Sequence, residues 1–173
     1  LKGDLAKSRL DWDQVEAHYQ RANRWDAWDW KPYLGLGHFN ASRALWYRDP
    51  DRAAEQEGKR RLAEEAIGYF QAAQERNPLE MAAEFGLARA HNAAGHPEEA
   101  LEHYRNAARH QRRHVFYREQ LGIQLRRLGQ DDEAMEVFRQ NVADGVATDV
   151  SRMNIRALER KAARAAALKD APP

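Results

Sequence analysis

Seven histidines and no cysteine set the limits of metal and nucleophilic chemistry in this 173-residue chain. Without cysteine there are no disulfides and no thiolate metal sites, and the redox compartment leaves no mark. His110 and His114 stand four residues apart, the spacing at which two imidazoles on one helix grip zinc. A turn is expected to separate them, and Arg112 and Arg113 between them repel a cation, so the pair reads as a charged turn. The run Arg109-His110-Gln111-Arg112-Arg113-His114 is the strongest local basic cluster. It offers either a phosphate or nucleic-acid contact or a solvated corner balanced by nearby acids, and the corner is the preferred reading. No Ser-His-Asp or Cys-His set assembles, and there is no glycine-rich phosphate loop. Neither a metal, nor a cofactor, nor an enzymatic activity is expected. All five tryptophans fall in residues 12–46, with Trp25, Trp28 and Trp30 together. They suit packing between structural units, an aromatic wall for a peptide or sugar, or a contact with a neighbouring domain.

The elements that carry these residues read as helices throughout. Ala, Leu, Glu, Arg and Gln dominate, all good helix formers. Apolar residues fall at helical spacing, as in Ala66, Phe70 and Ala73, or Leu121, Leu125 and Leu128. Breakers punctuate the pattern at Asn77-Pro78, Gly95-His96-Pro97 and Gly129-Gln130-Asp131. Pro97 followed by Glu98 and Glu99 suits a helix start, because proline loses no needed donor there and acids favour the positive dipole end. Asp131 and Asp132 have the same role in the next unit. No alternating strand is found, and no apolar run is long enough to cross a bilayer.

A fixed interval ties the helices together. Ala66, Ala100 and Ala134 recur every 34 residues, each followed four residues later by Phe70, Tyr104 or Phe138. Leu87-Ala88 and Leu121-Gly122 keep the same step, and so do Gly95 and Gly129. A period of this length marks helix pairs that stack because none buries its apolar face alone. Ala88 and Ala100 are expected to face each other where two helices cross, and Gly122 and Ala134 likewise. Tyr104 and Phe138 fill the wider space beyond, and Ala107 lets the next unit approach.

This pattern resembles the tetratricopeptide repeat, over residues 11–141 and most strongly at 81–111 and 115–141. The resemblance implies an all-α, right-handed α-solenoid of antiparallel helix pairs: about three repeat units, one with extended helices, plus a C-terminal capping helix. It divides a single repeat domain over 1–169 into units at about 1–27, 28–78, 79–112 and 113–146, a capping helix at 149–169, and a disordered tail or linker at 170–173. The first unit is degenerate, with Val15 before Tyr19 and Ala22, and residues 1–10 as the partner helix. The second carries 17 extra residues between Gly37 and Ala66 compared with Ala88 to Ala100. Asp49-Pro50-Asp51 can cap a helix there, with Gly58 as a weak point. The excess suits either two helices each extended by about two turns or a protruding hairpin that contacts a partner. In the last helix Arg156 falls where a continuing unit would want Gly or Ala, and a polar outer face is what the end of a solenoid needs.

In that family the first helices of successive units line a concave groove for ligand peptides. Carried over, the groove candidates are Lys31, Leu34, His38, Phe85, Arg89, Asn92, Phe116, Glu119, Ile123 and Arg126, a mixture suited to an extended peptide with some acidic character. His91 sits where these repeats place a large interface residue, and so reads as a packed histidine. The clamp that holds a C-terminal carboxylate in one subset of the family is missing, since Leu34, Gly86 and Phe116 stand where polar members belong. The expected function is a protein-protein interaction scaffold. Two alternatives remain: an accessory repeat region of a larger bacterial membrane protein or glycosyltransferase/glycan polymerase, and a nucleic-acid or regulator-binding module using the Arg109–His114 corner. A net charge of +1 gives no general reason to expect nucleic acid or an anionic membrane. Arg- and Ala-rich usage suggests a bacterial source. The start at Leu1 reads as an excised piece of something longer, so compartment, oligomeric state and partner identity stay open.

Overall fold

The structure is a computed structural model, and it describes residues 13–22, 24, 26, 28–111 and 114–169. The expected helix at 1–10, Trp12, Trp25, Arg112, Arg113 and the tail at 170–173 lie outside the described residues. Among the described residues the protein is all-helical, without strands. Helix α1 covers 13–22, followed by α2 (Lys31–Trp46), α3 (Arg52–Arg76), α4 (Met81–Ala94), α5 (Pro97–His110), α6 (Val115–Arg127), α7 (Asp131–Ala143) and α8 (Asp149–Lys169). Among the described residues no helix is long and apolar enough to cross a membrane.

Local chemistry explains the boundaries. Gly95 closes α4 in the left-handed region at φ 91°, and the His96 N–H reaches the His91 carbonyl at 2.8 Å. Gly129 turns the chain at φ 76° between α6 and α7, and the Gln130 N–H bonds the Leu125 carbonyl at 2.9 Å. An L side chain is disfavoured in that region, which is why glycine stands at both turns. α5 starts at Pro97 with Glu98 and Glu99 in its first turn, and α7 opens on Asp131, Asp132 and Glu133.

The 17-residue excess is distributed unevenly. Relative to α4 and α5, three residues lengthen the end of α2, three lengthen the turn, and eleven extend the start of α3. Asp51 caps the longer helix by accepting from the Ala53 and Ala54 N–H groups at 2.8 and 3.4 Å. Asp49 accepts from the Asp51 N–H at 2.9 Å. Gly58 is not a weak point. It is buried against the Tyr47 ring, and a Cβ there would stand 2.3 Å from Tyr47 Cε1. Leu62 and Ala63 extend the packing onto Ala44 and Ala94, so the added turns have a small core of their own.

The chain forms two compact units, Leu1–Ala100 and Leu101–Pro173. In the first, α3 packs on both α2 and α4, and α2 also touches α4. Phe70 of α3 is fully buried with Ala41, Ala66, Leu87 and Ala90. Burying a side chain of that size contributes about 1.5–3 kcal/mol. Gly37 of α2 and Gly86 of α4 both lie against its ring, with no room for a side chain at either. Tyr19 of α1 fills the same kind of gap at Gly35, and an Arg43–Glu16 ion pair of 3.2 Å ties α1 to α2.

In the second unit Phe138 repeats the role of Phe70. It is buried with Leu101, Leu125, Ala134 and Leu158, and its ring is the nearest neighbour of Gly122. The small residue at position 122 therefore seats an aromatic ring, where the sequence suggested it chiefly faced Ala134. α8 packs on α7 and touches α6.

Candidate peptide-binding face

Six of the expected groove residues lie in the first unit, on α2 and α4. Lys31 opens α2, its N–H held by the Asp29 carboxylate at 3.0 Å, and its side chain is exposed. One turn on, Leu34 is half-buried against the Phe70 cluster. His38, a further turn along, is exposed, with its ring edge-on to Phe70 at a centroid distance of 5.0 Å. On α4, Phe85 is half-buried, and the exposed Arg89 holds its guanidinium 5.9 Å from the Phe85 ring centroid. Partial desolvation lowers the pKa of His38, and the nearby Arg89 charge lowers it further. His38 on α2 and Arg89 on α4 are thus close enough for their charges to interact, and the half-buried Leu34 and Phe85 each stand one turn before them. Asn92, one turn beyond Arg89, is half-buried.

Polar contacts that the sequence did not single out tie α2 and α4 to α3. Arg76 of α3 lies 3.9 Å from the Tyr33 ring centroid and donates to the Tyr33 hydroxyl at 3.2 Å. Gln74 donates to the buried Glu84 carboxylate of α4. The two contacts join residues 43 and 10 apart in sequence, and nothing in their local spacing signals them.

The second unit uses its expected groove residues differently. Phe116 is 41% exposed at the start of α6. Glu119 is only 5% exposed and turns inward, a correction to its expected place on a ligand face. Its carboxylate accepts from the Ser151 hydroxyl at 2.7 Å, the Ser151 N–H at 3.2 Å and the Thr148 hydroxyl at 2.5 Å. A carboxylate at a helix N-terminus satisfies amide donors that have no partner within the helix, so Glu119 seats α8. Ile123 packs half-buried in the Phe138 cluster. Arg126, although exposed, donates to the Asn154 amide oxygen of α8 at 2.5 Å. Two of these four residues, Glu119 and Arg126, therefore address α8.

The remaining chemistry-bearing residues are dispersed. His110 ends α5 and His114 is the residue before α6, so the pair does not share a helix. His91 is half-buried, its ring 5.8 Å from that of His96. Two tryptophans depart from the packing expectation: Trp28 is 85% and Trp46 is 74% exposed, while Trp30 is half-buried. Tryptophan type reports bulk and does not say what covers it.

No family model matches the chain, and no curated protein matches it. Among solved structures, a MamA RS-1 ArsTM double mutant aligns with 91% of this chain and 90% of its own at 16% identity and a TM-score of 0.43. The all-helical architecture rests on the helices themselves.

Proposed function

We propose that the chain is a tetratricopeptide-class repeat scaffold, a right-handed solenoid that binds an extended, partly acidic segment of a partner protein and carries out no reaction of its own. The observation that supports this most directly is the proximity of His38 on α2 to Arg89 on α4, with half-buried Leu34 and Phe85 one turn before each and exposed Lys31 at the start of α2. Apolar contacts along a peptide supply affinity, and an arginine fork fixes a carboxylate in register. The 34-residue recurrence of small residue and ring supports the family reading. Glu119 is left out of the binding surface, because its carboxylate is already engaged.

The test is selection of displayed random peptides on the chain, followed by affinity measurement. Selected peptides should be enriched in Asp and Glu. Arg89→Glu should weaken them about tenfold or more, the loss of one charge-assisted hydrogen bond of about 1.5–3 kcal/mol. Helical circular dichroism and melting midpoint should stay near wild type. Unchanged affinity would refute the assignment, and equal loss of fold and binding would make Arg89 structural. A second reading, an accessory repeat region within a larger bacterial protein, draws support from exposed Trp28 and Trp46, which suit a contact with a neighbouring domain.

A further inference from the structure

α8 has two contrasting sides. Ser151, Asn154 and Leu158 are buried on one of them. From Glu159 to Leu168 every residue is exposed. Lys161 pairs with Asp131, the first residue of α7, so residues 162–169 run on past the start of that helix. Opposite the buried side, Arg152, Arg156, Arg160 and Arg164 recur every fourth residue, all exposed. At the helical rise each step is about 6 Å.

These charges are not balanced as those of Lys59 and Arg60 on α3 are. On α3, Arg60 lies 3.0 Å from Glu57 and 3.6 Å from Glu64, and Lys59 pairs with Glu55. On α8, Arg152 has Asp149 at 3.3 Å. Among the described residues Arg156, Arg160 and Arg164 meet no carboxylate, and Arg160 spends its Nε on the Arg156 carbonyl at 3.2 Å. Like charges four apart oppose a helix, so the row works against the element that bears it. The row also sits in the basic half of the chain. Residues 101–173 hold 14 basic and 10 acidic residues, net +4, whereas 1–100 hold 14 and 17, net −3.

We propose that the arginine row of α8 docks an acidic α-helix of a partner protein whose carboxylates repeat every fourth residue. A helix with that pattern has the same 6 Å step, about one carboxylate per guanidinium, and each pair can close as a two-point fork. The row is one residue wide. Ala163, Ala167 and Met153 lie on the same side, small or apolar groups that let a second helix come close. Nearby acids disfavour a broad polyanion. α7 exposes Asp132 and Glu136, α8 exposes Glu159, and a net charge of +1 gives little long-range pull on nucleic acid. The proposal is independent of the α2/α4 face, and variants of one leave the other intact.

The experiment uses the whole chain and a labelled, end-capped, alanine-based peptide with Glu at every fourth position. Three comparison probes accompany it: the same peptide with its Glu residues scrambled around the helix, a DNA oligonucleotide, and phosphatidylserine-containing vesicles. The ordered peptide should bind, weaken with salt, and bind at least tenfold tighter than the scrambled one. The triple variant Arg156→Glu, Arg160→Glu, Arg164→Glu should lose at least tenfold with its helical signal intact. Arg→Gln at the same three positions should also lose binding, and it decides the matter if the Glu variant misfolds. No binding of the ordered peptide, equal binding of the scrambled one, undiminished binding by the variants, or tighter binding of DNA or vesicles would each overturn the proposal.

Discussion

Replacing Gly86 by alanine adds one carbon and should destabilise the first unit, against the usual preference of helices. A Cβ at that position would stand 2.4, 2.5 and 2.7 Å from Cε1, Cζ and Cδ1 of Phe70. Ordinary carbon contacts lie at about 3.5–4.0 Å, so the ring must retreat by about 1 Å. It has little room to do so, because it is fully buried and the same edge already lies against Gly37. Overpacking of this kind costs about 1–3 kcal/mol, partly offset by the roughly 1 kcal/mol by which alanine exceeds glycine within a helix. The net expectation is a loss of about 1 kcal/mol. Gly68 on α3 is the control, since it is exposed and a Cβ there meets nothing within 4 Å. Gly68→Ala should gain about 0.5–1 kcal/mol. Urea unfolding followed by circular dichroism compares the two variants, which should fall on opposite sides of wild type. In a Phe70→Leu background the cost of Gly86→Ala should shrink, because the ring edge is gone. Equal stability of the two glycine variants would refute the idea that Phe70 sets the spacing of α2 and α4, and with it the spacing of the candidate binding face.

Two further outcomes follow from the polar groups. Glu119→Ala leaves the Ser151 and Thr148 donors without their acceptor, at about 1–3 kcal/mol for each buried group left unmet, and α8 amides should lose hydrogen-exchange protection before those of α3. Unchanged exchange in α8 would show that apolar contacts alone hold it. His38 has a folded-state pKa below its ordinary 6.5, so the unfolded chain takes up the proton first on acidification. Its stabilising contribution is complete above about pH 6.5 and is lost as pH falls through the lower folded value. His38→Gln should flatten that part of the melting-midpoint profile, and an identical profile in the variant would sink the assignment.

What was legible in the sequence was local or periodic. Gly95, Pro97 and Gly129 declare themselves through backbone chemistry that needs no tertiary partner, and Asp51 marks a helix start by the same kind of rule. The 34-residue step located Phe138 and the buried Ala134 because each is repeated in the same structural setting. The lengthening of α3 was half legible. The Asp51 cap fixes where the helix begins, but the Tyr47–Gly58 contact that keeps the added turns packed joins two residues with no pattern between them. Glu119 was misplaced for a physical reason. Carrying a groove position over assumes that an outward polar residue awaits a ligand, while its actual donors lie 29 and 32 residues later. Its neighbour in register, Arg126, reaches Asn154 over a similar separation of 28.

The two units solve one packing problem by different means, and the difference bears on what α8 is. α4 meets α2 and α3 through Phe70, Gly37 and Gly86, an apolar wedge that tolerates sliding poorly because the ring fits only where glycine leaves room. α8 meets α6 and α7 through Leu158 and Ile155, but also through Glu119, Ser151, Asn141 and Asn154, all buried. Asn141 donates to the Ser151 hydroxyl at 3.1 Å, and among the described residues its carbonyl oxygen has no partner. A buried polar set of this kind makes its hydrogen bonds in one register only, so it fixes where α8 sits at some expense in stability. α8 therefore docks like the first helix of another pair. Its outer side differs from that of α4 and α6. The 34-residue step that places Ala88 and Gly122 arrives at Arg156, which is exposed and unable to seat a ring. The residue that stands where the repeat pattern has Ala88 and Gly122 is thus a member of the arginine row, and its exposed charge suits a different kind of partner.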